Sequence, residues 1–217
     1  MARWPALARW LLLALACLLG PTVHAAPPRP APAAPALQAA GSPDDLAEGV
    51  VARYLLMDQN GRAVSNQDFR GSFQLIAFGY TACPDVCPTT LAEMAAILQQ
   101  LGPLEERLQP LFITVDPERD TPEHLKTYTA FFHPRILGLT GSPELIRRVA
   151  GLFKVRYEKV RDPGAPPEQY WMDHSAGMIL LGPDGGYVTR FAYATPPAEI
   201  AARLRPLLEA APPPRER

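Results

Sequence analysis

The spacing of apolar residues predicts a buried strand followed by a helix in the middle of the chain. Residues 72–78 form a short apolar run with β-prone side chains, which is typical of a buried strand. Apolar residues then recur with helical period over residues 91–101, and Gly102 ends the pattern. Thr90 and Glu93 have the spacing of a capping box, so we expect this helix to begin near Thr90.

The remaining apolar patterns predict further strands, helices and two hairpins. The predicted strands cover residues 51–56, 63–65, 111–115, 136–139, 155–160, 176–181 and 187–193, and the predicted helices cover residues 121–132, 142–153 and 197–209. Asn-Gly at 60–61 and the Gly-rich run at 182–186 favour hairpin turns, and Pro206 is expected to kink or end the last helix. Together these elements predict an α/β fold, in which helices flank a central mixed β-sheet that begins with an N-terminal hairpin.

Two cysteines stand where the strand at 72–78 turns into the helix. Cys83 and Cys87 are separated by three residues. A helix N-terminus favours negative charge, which lowers a thiol pKa and makes the thiolate available as a nucleophile or metal ligand. Residues four apart in near-helical geometry lie on one face, which permits either a disulfide or a shared metal ion. Because so short a loop constrains the unfolded chain weakly, a purely structural disulfide is the poorer explanation.

A second candidate group is Asp173, His174 and Ser175, just before a predicted hairpin strand. Of the four histidines in the chain, only His174 enters the predicted sheet beside a carboxylate and a hydroxyl. Two thiolates and one imidazole suit copper, whereas structural zinc normally takes four protein ligands. Asp173 is a candidate to polarise His174 or to take part in copper release, and its plainer role is that of a turn residue.

The N-terminal segment has the pattern of a targeting sequence. Arg3 and Arg9 precede an apolar run at 10–20, and small residues follow it. This run is short for a membrane span, which needs about 20 residues. We therefore expect residues 1–25 to be a cleaved signal peptide or a membrane anchor, with lipidation of Cys17 as a third alternative.

The rest of the chain divides into a tether, one domain and a tail. Residues 26–45 are rich in Pro and Ala and are expected to be a disordered linker, as is the tail at 211–217. Residues 46–210 have the length of one domain with a substantial core. The formal net charge of −1 gives no reason to expect nucleic-acid binding.

Several motifs, taken in order, resemble the Sco/SenC family. They are Phe-Gly-Tyr-Thr at 78–81, Cys-Pro-Asp-Val-Cys-Pro at 83–88, Val-Asp-Pro-Glu-Arg-Asp-Thr-Pro at 115–122, Leu-Thr-Gly at 139–141, Asp-His-Ser at 173–175 and Gly-Pro-Asp-Gly at 182–185. The resemblance covers about residues 50–205. Proteins of this family are copper-binding, thioredoxin-like proteins that help assemble cytochrome c oxidase.

The resemblance implies a thioredoxin-like fold and a set of site residues. It implies that Cys83, Cys87 and His174 bind one copper ion per chain, as Cu(I), Cu(II) or both. Asp116 and Asp120 match a family motif near the metal face, so we assign them a supporting role. Turn formation and helix capping explain these two aspartates about equally well.

The expected function is that of a copper chaperone for the binuclear copper site of oxidase subunit II. Further expected partners are another periplasmic copper chaperone or a thioredoxin-like reductant. The expected location is the bacterial periplasm or the outer face of the inner membrane. The loop at 161–169 is a candidate docking or gating element, or an ordinary solvated loop.

Two other functions stay open at this point. One is a thiol-disulfide reductase that acts on the cysteines of subunit II, and it leaves open whether the protein is an enzyme. The other is a peroxiredoxin-like redox sensor. Against the sensor, the threonine expected three residues before a peroxidatic cysteine is absent, since Tyr80 precedes Cys83 and Pro84 precedes Cys87 at that distance.

Overall fold

The computed structural model describes residue 51 and residues 53–211. The predicted signal or anchor at 1–25, the linker at 26–45 and all but the first residue of the tail lie outside this part of the chain. In the part that is described, no helix has both the length and the apolar character that a membrane crossing requires.

Residues 53–211 form nine strands and four α-helices. The strands are β1 (Leu55–Asp58), β2 (Ala63–Ser65), β3 (Phe73–Gly79), β4 (Leu108–Thr114), β5 (Leu137–Thr140), β6 (Tyr157–Val160), β7 (Trp171–His174), β8 (Met178–Leu181) and β9 (Tyr187–Phe191). The helices are α1 (Val86–Leu101), α2 (Pro122–Phe132), α3 (Pro143–Leu152) and α4 (Pro197–Ala210), with 3₁₀ turns at Asn66–Phe69 and Gly102–Arg107.

Seven strands form one mixed sheet in the order β2-β1-β5-β4-β3-β8-β9. β3 pairs parallel with β4 and antiparallel with β8, and β4 pairs parallel with β5. Every residue of β3 is buried, and Gln74 is the one polar side chain of this strand. The predicted mixed sheet with flanking helices and an N-terminal hairpin, β1–β2, is confirmed.

β6 and β7 pair only with each other and form a separate two-stranded ribbon. The sequence pattern predicted β6 as a strand and placed residues 171–174 only at the entrance of a sheet. The ribbon matters for function because β7 ends at His174.

The predicted start of α1 was wrong. The helix begins at Val86, and Thr90 is a buried residue of its interior. Pro88 is tolerated in the first turn because the N–H groups of that turn have no partner within the helix. Cys87 therefore lies within α1, and Cys83 precedes it in the loop.

Pro206 does not end the last helix, which continues to Ala210. Leu204 and Leu208 are fully buried on either side of the proline and hold the helix against the core. Arg107 also donates hydrogen bonds to the carbonyls of Leu208 and Ala211, at 2.7 and 2.6 Å. Packing and this side-chain cap outweigh the loss of one backbone hydrogen bond.

Candidate metal centre

Three potential ligands from two distant segments of the chain meet at the C-terminal end of β3. Cys83 lies in the loop after β3, Cys87 lies in the first turn of α1, and His174 ends β7. Their ligand atoms all lie within 4.8 Å of one another. Cys87 Sγ is 3.4 Å from His174 Nε2, and both cysteines are free thiols.

The neighbour of His174 fixes which ring nitrogen faces the sulfurs. Nδ1 of His174 lies 3.0 Å from the carbonyl oxygen of Ser175. A carbonyl only accepts, so Nδ1 carries the proton and donates it, which leaves the lone pair of Nε2 directed at the cysteines. The ring of Tyr80 packs edge-to-face on the imidazole, with centroids 6.0 Å apart. The histidine is thus oriented as a metal ligand.

The two thiols have opposite electrostatic environments. The hydrogen bond from the Cys87 side chain, together with those from nearby backbone N–H groups, lowers the pKa of Cys83 well below its ordinary value. The same interaction with Cys83, together with burial, raises the pKa of Cys87. Cys83 is half-buried and Cys87 is only 1% exposed. Cys83 is therefore the accessible thiolate, and Cys87 is the thiol that keeps its proton.

Gly79 makes room for the inner sulfur, a role that sequence reasoning missed. A Cβ atom at this position would lie 2.7 Å from Cys87 Sγ and 2.7 Å from Cε2 of Phe112. Contacts this short force the neighbours to move. The available signal was a glycine at the end of an otherwise bulky buried strand.

Asp120 stabilises the cysteine loop through hydrogen bonds. It is fully buried and accepts hydrogen bonds from the backbone N–H of Thr81 at 3.1 Å, the Thr81 hydroxyl at 2.6 Å and the Thr114 hydroxyl at 2.6 Å. Burial raises the pKa of Asp120, although these hydrogen bonds oppose the shift. Its connection to the ligand group runs through Thr81, two residues before Cys83.

Asp116 is linked through Arg119 and Tyr170 to the start of β7, the strand that ends at His174. It is 1% exposed, forms an ion pair with Arg119 and accepts a hydrogen bond of 2.9 Å from the hydroxyl of Tyr170. Arg119 in turn donates to the carbonyl of Tyr170 at 3.1 Å. Tyr170 was not singled out from the sequence, because no local pattern relates a loop tyrosine to a motif 50 residues upstream.

Asp173 is not part of the Cys83, Cys87 and His174 group. It lies opposite Glu158 in the ribbon, one residue before His174. Successive side chains of a strand point to opposite faces, so the carboxylate and the imidazole point away from each other. The structure therefore brings together the three predicted ligands and leaves Asp173 apart.

Comparison with known proteins identifies the family. Residues 43–209 match the family model described as SCO1/SenC. The chain belongs to this family. It is 41% identical over 152 residues to a SCO2-like protein of Rickettsia felis, which covers 70% of this chain and 74% of that protein.

Solved structures of Sco proteins share the fold. The chain is 40% identical to Bradyrhizobium japonicum ScoI, solved with copper bound, with a TM-score of 0.67 over 73% of this chain and 99% of that chain. It is 25% identical to BsSco, described as a member of the Sco family of cytochrome c oxidase assembly proteins, with a TM-score of 0.60 over 76% of this chain and 97% of that chain. The predicted thioredoxin-like fold is confirmed.

Proposed function

We propose that this protein is a copper metallochaperone in the assembly of cytochrome c oxidase. One copper ion is bound by Cys83, Cys87 and His174. The observation that carries the proposal is the convergence of these three ligand atoms within 4.8 Å. The copper-bound structure of ScoI and the description of BsSco as a cytochrome c oxidase assembly protein support it.

The three donor atoms suit a copper ion that the protein transfers to a recipient. Thiolate sulfur and imidazole nitrogen are soft and borderline ligands that suit copper. Three protein donors leave a further coordination position for a ligand of the recipient. Cys83 is the more exposed of the two sulfurs, so an incoming ligand approaches from its side while Cys87 stays buried.

Redox state controls this binding in the proposal. The reduced pair supplies two thiolates to Cu(I) or Cu(II). When the two thiols reduce a disulfide of a partner protein, their two electrons and two protons pass to that disulfide, and the bridged sulfurs of Cys83 and Cys87 are then poor metal ligands. A thioredoxin-like reductant then restores the binding form.

The proposed recipient is the binuclear copper site of oxidase subunit II. This assignment places the protein in the bacterial periplasm or at the outer face of the inner membrane, where a second copper chaperone supplies the ion. The loop at 161–169 borders the ribbon that carries His174 and is the candidate docking element.

A thiol-disulfide reductase is the second candidate, and one observation favours it. The lowered pKa of Cys83, its partial exposure and the raised pKa of buried Cys87 form the asymmetric pair of an attacking and a resolving thiol. In this function the Cys83 thiolate attacks a disulfide of the target, which breaks that disulfide, forms a mixed disulfide with Cys83 and releases the first target thiolate. Cys87 then loses its proton and displaces the target thiolate, which leaves a disulfide between Cys83 and Cys87.

A copper titration separates the two functions. The reduced protein is titrated under nitrogen and compared with His174→Ala and with the control His133→Ala, whose histidine follows α2 and is not part of the ligand group. Tight 1:1 binding that collapses only in His174→Ala supports the metallochaperone. Weak binding that is indifferent to His174 makes the dithiol the whole site and favours the reductase.

A further inference from the structure

The third ligand is held by a different part of the fold from the first two. Cys83 and Cys87 lie between β3 and α1 of the main sheet, whereas His174 ends the β6–β7 ribbon (Tyr157–Val160 and Trp171–His174). No backbone ladder joins the described ribbon strands to the seven-stranded sheet. Beyond the three residues that link His174 to β8, side-chain contacts between the ribbon and the rest of the fold therefore set the distance between the imidazole and the sulfurs.

One set of contacts holds Tyr170, the residue that precedes β7, in place. Arg119 forms an ion pair with Asp116, donates to the carbonyl of Tyr170, and stacks with its guanidinium carbon 3.8 Å from the centre of the Tyr170 ring. The hydroxyl of Tyr170 donates a hydrogen bond to Asp116. Nζ of Lys159, a residue of β6, lies 4.3 Å from the centre of the Tyr170 ring. We call Asp116, Arg119 and Tyr170 the arginine clamp.

The clamp also reaches the other end of β7. The guanidinium of Arg119 lies 5.7 Å from the centre of the Tyr80 ring, and Tyr80 packs edge-to-face on His174. Arg119 thus contacts the residue before the strand and the ring that packs on its last residue. Only a planar guanidinium can make the ion pair, donate to the carbonyl and stack on the ring at the same time, because the ammonium of a lysine cannot stack.

Stability alone is a poor explanation of the clamp. In the partly buried ion pair of Asp116 and Arg119 the carboxylate side chain is 2% exposed and the arginine side chain 29%, so the cost of removing the carboxylate from water offsets part of the attraction. One terminal nitrogen of Arg119 is buried without a hydrogen-bond partner, which adds a further cost. We therefore explain the clamp by the geometry that it fixes rather than by a contribution to stability.

We propose that Arg119 is a positioning residue for His174, which holds the imidazole within reach of the two sulfurs through Tyr170 and Tyr80. This inference rests on the proposed copper site, and it adds residues to that site which touch no metal. It assigns a function to the arginine of the Val-Asp-Pro-Glu-Arg-Asp-Thr-Pro motif and to Tyr170.

A double-mutant cycle on the full chain tests the inference. Copper affinity is measured by competition with a chromophoric chelator for Arg119→Gln, His174→Ala and the double variant. We expect Arg119→Gln to weaken binding about tenfold in the native background and less than about twofold when His174 is already absent. Arg161 lines a surface cavity together with Arg119 and Tyr170, so the matched control is Arg161→Gln, which removes the same charge from this cavity and leaves the three clamp residues unchanged.

A copper-free measurement separates this inference from the proposed function. NMR of the reduced chain should show the nuclear Overhauser contact between the rings of His174 and Tyr80, and this contact should be lost in Arg119→Gln and kept in Arg161→Gln. An unchanged contact overturns the inference whether or not the chain binds copper. Equal weakening of copper binding in both His174 backgrounds also overturns it.

Arg119→Gln leaves a buried carboxylate without its cation, so a second variant guards against misfolding. Asp116→Asn/Arg119→Gln removes both charges, and Tyr170→Phe removes only the hydroxyl that bonds to Asp116. Thermal unfolding checks that each variant folds. In each variant that folds, the loss of copper affinity should again be much smaller when His174 is absent. A loss that adds fully to that of His174→Ala contradicts the inference.

Discussion

The backbone N–H of Cys87 donates to the sulfur of Cys83 at 3.4 Å. The first turn of α1 thus stabilises the thiolate of the more exposed cysteine, and the Cys87 thiol adds a second hydrogen bond. Removing Cys87 should therefore change the chemistry of Cys83 even though Cys83 itself is untouched.

We expect iodoacetamide to alkylate Cys83 of the reduced native chain at a rate that changes little between pH 6 and pH 8, because a lowered pKa keeps this thiol ionised throughout that range. In Cys87→Ala the pKa should rise towards the ordinary value of about 8.5, so the rate should increase steeply with pH. Mass spectrometry of timed samples measures both profiles. A steep profile in the native chain contradicts the assignment of Cys83 as the thiolate.

Gly79→Ala should destabilise the chain by about 1–3 kcal/mol, because its Cβ overlaps Cys87 Sγ and the Phe112 ring. The displaced sulfur should also weaken copper binding. Urea unfolding and chelator competition measure the two effects. The control is Gly151→Ala in α3, where a Cβ meets nothing within 4 Å and helix propensity favours alanine.

Asp120→Asn should cost about 1–3 kcal/mol at pH 7, because one carboxamide oxygen cannot accept from all three donors of the native carboxylate. Urea unfolding of both proteins measures the loss, with exposed Asp162→Asn as the control for the charge.

The pH dependence of this difference has a defined sign. The pKa of Asp120 is higher in the folded chain than in the unfolded chain, mainly because of burial, so the native protein gains stability as pH falls through the folded-state pKa. The asparagine variant lacks this titration. The stability difference between the two proteins should therefore grow as pH is lowered from 7, and a shrinking difference would show that hydrogen bonding outweighs burial.

Asp173→Asn should leave copper affinity within about twofold of the native value, because the carboxylate lies on the opposite face of β7 from the imidazole. His174→Ala is the positive control in the same chelator assay. A tenfold loss in Asp173→Asn would restore the sequence-based prediction that Asp173 supports His174.

Local patterns in the sequence were sufficient for most of the main sheet. β3 is apolar apart from Gln74, and α2 and α3 begin within one residue of their predicted starts, where the side chains of Thr121 and Ser142 cap them. The start of α1 was missed because the capping-box spacing of Thr90 and Glu93 also occurs inside a helix. The cysteine loop, rather than a capping side chain, sets this helix start.

The site was predictable where residue types carry the chemistry. Two cysteines and one histidine suggest a metal ligand set, and the family motifs placed them together. The arginine clamp was not predictable, because it joins a turn after β4 to a loop residue more than 50 positions later by stacking and carbonyl contacts. Such contacts leave no period or spacing in the sequence.

Cys87 and His174 are separated by 87 positions, although their side chains are 3.4 Å apart. The unfolded chain therefore already offers two neighbouring thiolates but no imidazole beside them. An ion held by all three ligands stabilises the fold only by the difference between three-ligand and two-ligand affinity, since binding to the unfolded state subtracts from the effect. Loss of the histidine ligand consequently weakens the link between metal loading and folding, while leaving the chain able to capture metal before it folds.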